Sequence, residues 1–116
     1  MRGRITGAEF IQFDFYASTN TKKDLKCSYS FKAQHPADTD EKIRAILVTF
    51  QADAPDDSVR FHAQCRVTFD FTDIGAVPNE YDLVADYYNA AYQTFCEKSN
   101  EAFPILGQNH FDFQEI

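Results

Sequence analysis

The chain has 116 residues, with 18 acidic against 11 basic and a net charge of −7. At that length one domain over residues 1–116 is expected, with a core that buries on the order of two-thirds of the unfolded chain's surface. The acidic balance argues against nucleic-acid backbones and anionic membranes as partners, which need basic patches.

No run of about 18 apolar residues offers a membrane span. The basic start Met1-Arg2-Gly3-Arg4 is not followed by the apolar segment of a secretory signal, so a cytoplasmic protein is expected. Twelve Phe and six Tyr make 16% of the chain aromatic. Such side chains pack sheets well, and they equally suit an adhesive binding surface. Cys27, Cys65 and Cys96 form an odd set without a CxxC, and two of them fall in apolar registers of predicted strands. Buried reduced thiols are expected.

A first strand is predicted over Ile5–Thr19, with Ile11, Phe13, Phe15 and Ala17 on one face and Gln12 and Asp14 on the other. Phe10 and Tyr16 lie with the polar set, exposed or against a partner subunit. Asn20–Asp24 is a polar turn. In the second strand Leu25, Cys27, Tyr29, Phe31 and Ala33 alternate with Lys26, Ser28, Ser30 and Lys32. Gln34–Glu41, with His35-Pro36 and four acidic or hydroxyl residues, is an exposed loop.

Lys42–Ala52 is a third strand. Ile46, Val48, Phe50 and Ala52 share one face, and Ile43, Ala45 and Leu47 the other, so part of it is expected to be buried on both sides. After the acidic turn Asp53–Asp57 comes the most regular stretch of the chain. From Val59 to Thr72 every odd position is apolar and every even one is polar. A period of two marks a strand with one buried and one wet face, here roughly 45 Å long. Short polar connections favour neighbouring antiparallel strands, so a four-stranded antiparallel β-meander is expected.

Asp73–Pro78 breaks the pattern with Gly75 and Pro78. Asn79 is a helix N-cap, followed by Glu80 and Asp82 at the positive end of the dipole. A helix is predicted from Glu80 to Asn100, ending near Pro104. Its apolar stripe reads Tyr81, Val84, Ala85, Tyr88, Ala91, Tyr92 and Phe95, widened by Leu83, Tyr87 and Ala90. This stripe is expected to cover one face of the sheet, which makes the fold α+β. The segment from Phe103 to Ile116 is rich in large apolar residues and is expected to dock on the domain or on a partner.

Catalytic signals are sparse. His35, His62 and His110 have no spacing that builds a metal site. The carboxylate clusters at Asp38-Asp40-Glu41 and Asp53-Asp56-Asp57 lack the glycine and closing glutamate of a calcium loop. No nucleophile elbow, phosphate loop or dinucleotide fingerprint is present. The row Arg60, His62, Gln64, Arg66 and Asp70 is the expected wet face of an antiparallel sheet.

Four long strands, a Gly/Pro crossover, a long helix and an apolar end resemble the SecB family of export chaperones. The local likeness is carried by Phe103-Pro104-Ile105-Leu106 followed by His110-Phe111-Asp112-Phe113, and by Phe69-Asp70-Phe71-Thr72-Asp73-Ile74-Gly75. With Ile116 shortly after Phe113, the family's second helix is expected to be cut to a turn or missing and the acidic tail of typical export chaperones to be absent, which suggests a divergent relative. The resemblance implies a homo-oligomer, dimer or tetramer, that binds unfolded or specific partner polypeptides without catalysis or cofactor. It places the polypeptide-binding residues at Ile74, Val77, Tyr81, Ile105, Leu106, Phe111 and Phe113. Two other readings remain open: a small-molecule carrier or enzyme with an aromatic pocket, and a structural subunit that assembles through sheet edges.

Overall fold

The computed structural model describes residues 3–17, 25–34, 42–55, 58–73 and 76–105, with the backbone alone at Ile105. Four strands, β1 (Arg4–Ala17), β2 (Lys26–Gln34), β3 (Ile43–Asp53) and β4 (Val59–Asp70), are followed by helix α1 (Glu80–Ile105). The strands form one antiparallel sheet under the helix, so the α+β class stands.

The strand order corrects the meander. It is β1-β4-β3-β2, a Greek-key order in which β1 lies beside β4 instead of β2. Length explains the choice. The 14-residue β1 finds a partner in the 12-residue β4, paired from Arg4↔Asp70 to Ala17↔Val59, whereas β2 offers nine residues. Ala17 and Lys26 then stand three interstrand spacings apart, roughly 14 Å. Eight extended residues reach roughly 26 Å, so the connection is long enough to change edges.

The β1 register slips twice, between Ile5 and Gly7 and between Phe10 and Gln12. Each slip is a β-bulge, and one extra residue inverts the side-chain phase of what precedes it. Phe10 therefore faces the helix together with Phe13 and Phe15, meeting the Phe13 ring at 4.9 Å and that of Phe95 at 6.3 Å. Ile11, expected inside, is 49% exposed. Tyr16 keeps its expected place on the wet face opposite Arg60.

β4 is covered on both edges and alternates without a slip: Phe61, Ala63, Cys65, Val67 and Phe69 are buried. It ends where the Asp70 carboxylate accepts from both the backbone N–H and the hydroxyl of Thr72. These hydrogen bonds, with Arg4 beside them, hold Asp70 below the usual carboxylate range. On the wet face, Arg66 donates to Glu9 on β1 at 2.7 Å and to Gln34 on β2 at 3.0 Å. The guanidinium thus spans the sheet across β3, where Ala45 is fully buried and Ile43 and Leu47 are half-buried. His62 pairs with Asp53 at 2.9 Å. Three of the five residues of the predicted polar row, His62, Arg66 and Asp70, are thus engaged in cross-strand contacts.

Asn79 caps α1 as expected, its side-chain oxygen accepting from the Asp82 N–H at 2.8 Å. The helix runs past its expected end to Ile105, with Pro104 in its last turn. Phe103 explains the extension. It is fully buried, with its ring 5.4, 5.2 and 5.3 Å from Phe13, Phe15 and Phe61. That burial offsets the single hydrogen bond a proline removes at a helix end.

The phase of the helix is a second correction. Leu83, Tyr87, Ala91, Phe95, Ser99 and Phe103, at steps of four, face the sheet with Tyr92 beside them. Tyr81, Ala85 and Tyr88 from the expected stripe are exposed. The sequence carries two overlapping apolar stripes, and only one contains both Phe95 and Phe103, which join the Phe50–Phe61 cluster. The other stripe is left beside β2.

Candidate functional site

The leftover stripe and the open edge of β2 create a groove. Phe31, Ala33 and the Lys32 position between them form one wall; Tyr81, Val84, Ala85 and Glu80 form the other. The hollow is about 430 Å³. It continues along the strand where Tyr88 meets Phe31 and Tyr92 meets Tyr29, each at 5.6 Å between ring centres. Four residues of helix advance about 6 Å and two of strand about 6.6 Å, so successive turns of α1 stay level with alternate residues of β2. Tyr81 is 81% exposed, Tyr29 46% and Tyr88 37%. Three tyrosines this open along one line make a surface, and contiguous apolar surface marks interaction sites.

The two sheet edges differ. β1 is interrupted by both bulges, and bulges spoil an edge as a template for another strand. β2 pairs with β3 from Lys26↔Asp53 to Gln34↔Ala45 without a slip, and no strand pairs with its outer side among the described residues. A regular edge beside an aromatic groove is the geometry of strand addition, in which backbone bonds give affinity and alternate side chains enter pockets. A second cleft, of about 340 Å³, lies between Gly3, Ile5 and the polar flank of α1 at Asp86, Asn89 and Gln93.

The thiols are poorly suited to nucleophilic roles. Burial pushes Cys65 and Cys96 up to about 11, and burial with Asp53 nearby raises Cys27. Cys65 is buried as expected. Cys27 is exposed and Cys96 half-buried, because both lie toward the uncovered β2 side. No cluster of three metal-binding side chains occurs among the described residues, and no described helix is long and apolar enough to cross a membrane.

Of the residues expected to bind polypeptide, Tyr81 lines the groove. Val77 is half-buried against the core. Ile105 ends α1 at the opposite end from Tyr81. Ile74, Leu106, Phe111 and Phe113 lie outside the described residues. Tyr29, Phe31, Ala33, Val84, Ala85 and Tyr88 were not expected at a site. Their signal was an apolar arc on the helix wider than one sheet face needs.

No protein-family model matches the chain. No curated protein sequence matches it. Among solved structures it is similar to the SecB-like chaperone Rv1957 of Mycobacterium tuberculosis, in complex with a ChAD peptide from the Rv1956 HigA1 antitoxin. That likeness has a TM-score of 0.68 at 12% identity and covers 99% of this chain and 88% of the other. At that identity it shows the fold. A protein of unknown function from Streptococcus agalactiae aligns over 98% of both chains with a TM-score of 0.48 and 16% identity, too loose a likeness to argue from.

Proposed function

We propose that the chain is a non-catalytic SecB-like chaperone that binds unfolded or partner polypeptides in extended form, along β2 and in the groove beside α1. The observation that carries this reading is the regular edge of β2, unpaired on its outer side among the described residues, lying next to exposed Tyr29, Tyr81 and Tyr88. Aromatic rings accept varied apolar side chains, and an edge strand binds backbone, which every polypeptide has. The neighbour's antitoxin peptide supports a polypeptide partner. Ile74, Val77, Ile105, Leu106, Phe111 and Phe113 join Tyr81 in the proposal through the family resemblance. A homo-oligomer is part of it, with exposed Ile5, Ile11 and Tyr16 along β1 as apolar side chains available to a second copy.

The test is to dilute a chemically unfolded polypeptide from denaturant in the presence of the protein and follow light scattering. Near-stoichiometric suppression is expected, and it should weaken when Tyr29 and Tyr81 are both changed to Ser. Undiminished aggregation at a several-fold excess of the protein, together with no binding of an antitoxin-like partner peptide, would overturn the reading.

A further inference from the structure

We infer that the β2 edge selects polypeptide segments in which three large apolar side chains alternate with small ones between two acidic residues six positions apart, an assignment that rests on the polypeptide-binding reading above. The inference starts from which way β2 side chains point. Cys27, Tyr29 and Phe31 stand opposite the core residues Ala52, Phe50 and Val48, so they face the helix side. Lys26, Ser28, Ser30 and Lys32 stand opposite Asp53, Gln51, Thr49 and Leu47 and face the wet side. A strand added to this edge repeats that alternation. Its helix-side residues meet the aromatic groove. Its wet-side residues meet lysine, serine, serine and lysine in turn.

The charges are informative because the rest of the chain is acidic. The net charge is −7, yet β2 contains two lysines and no carboxylate. Asp53, the carboxylate opposite Lys26, is held by His62 at 2.9 and 3.1 Å. Like charges directly opposite each other on paired strands are destabilising, and opposite charges stabilise. Self-pairing of two β2 strands about Tyr29 would set Lys26 against Lys32 twice. The edge is therefore biased away from a second copy of itself and toward a partner with acid at those positions, with hydroxyl-sized residues between.

The test uses the full chain and three seven-residue-core peptides that share one pattern of Phe and Leu at the helix-side positions. The two outer wet-side positions carry Glu, Gln or Lys. Binding is followed by fluorescence anisotropy at low and high salt. Two exposed ion pairs predict a roughly three- to tenfold preference for Glu over Gln at low ionic strength. The preference should shrink in 0.5 M salt and invert to Lys over Gln in the Lys26→Glu/Lys32→Glu variant. These side chains are exposed, and far-UV circular dichroism confirms that the variant is folded.

Equal binding of all three peptides would overturn the charge selection and leave the polypeptide-binding reading intact. Equal Glu and Gln binding with weaker Lys binding would overturn it too, since the lysines would then only guard the edge by repulsion. Binding of none would overturn both.

Discussion

Changing Phe10 and Ile11 separately to Ala tests the placement of the second bulge. Strict alternation along β1 puts Ile11 inside and Phe10 outside; the bulge reverses them. Phe10 is partly buried, in edge contact with Phe13 at 4.9 Å and Phe95 at 6.3 Å. Truncating a fully buried Phe costs about 3–5 kcal/mol, so a partly buried one should cost about 2–3 kcal/mol. Ile11 is 49% exposed, and its truncation should cost less than about 1 kcal/mol. At this chain size 1 kcal/mol moves the midpoint by roughly 4 °C. Phe10→Ala should therefore lower Tm by roughly 8–12 °C and Ile11→Ala by at most a few degrees, both read by circular dichroism and urea titration. Deleting Ile11 altogether should be tolerated, because the ladder closes and leaves Phe10 and Phe13 on the helix side. An Ile11→Ala loss equal to or larger than that of Phe10→Ala would refute the bulge.

Ser99 is fully buried against the sheet and its hydroxyl has no hydrogen-bond partner among the described residues. Ser99→Ala removes that desolvated group and improves helix propensity, so a gain of about 1 kcal/mol in urea unfolding is expected. A loss of stability would show that the hydroxyl is satisfied. Thiol reagents at pH 8 should modify exposed Cys27 first and Cys65 only on unfolding; early reaction of Cys65 would contradict its burial. Cys65 and Cys96 have folded values near 11, above the ordinary 9.0. The folded chain therefore disfavours their thiolates. The corresponding stability is complete below about pH 9 and is lost as pH rises toward 11. A Cys65→Ser/Cys96→Ser variant should show a shallower alkaline decline in urea midpoint, and an unchanged decline would remove the thiols as its cause.

Two kinds of information separate in this chain. Alternation at β2 and β4 was legible because a period of two persists there without interruption, and β3 was legible as a strand partly buried on both sides because Ala45-Ile46-Leu47-Val48 puts apolar residues on both of its phases. The Asn79 cap was legible because a polar side chain at a helix start acts locally, within three residues. Strand order was not legible, since neighbours separated by an eight-residue connection are chosen by ladder length across the whole sheet. The bulges at β1 were hidden because apolar residues occur on both phases, at Phe10 and at Ile11, and only the partner strand fixes which phase is inward.

The groove was half legible. Its residues stand out as apolar in the sequence, but α1 offers two stripes, and a helix can turn only one of them to a sheet. Phe95 and Phe103 reach the phenylalanine cluster and win that face by burial. By itself the sequence determined the elements and the apolar surplus. The tertiary structure decided where the surplus went, because burial is a property of the assembled sheet and helix, and no single segment carries it.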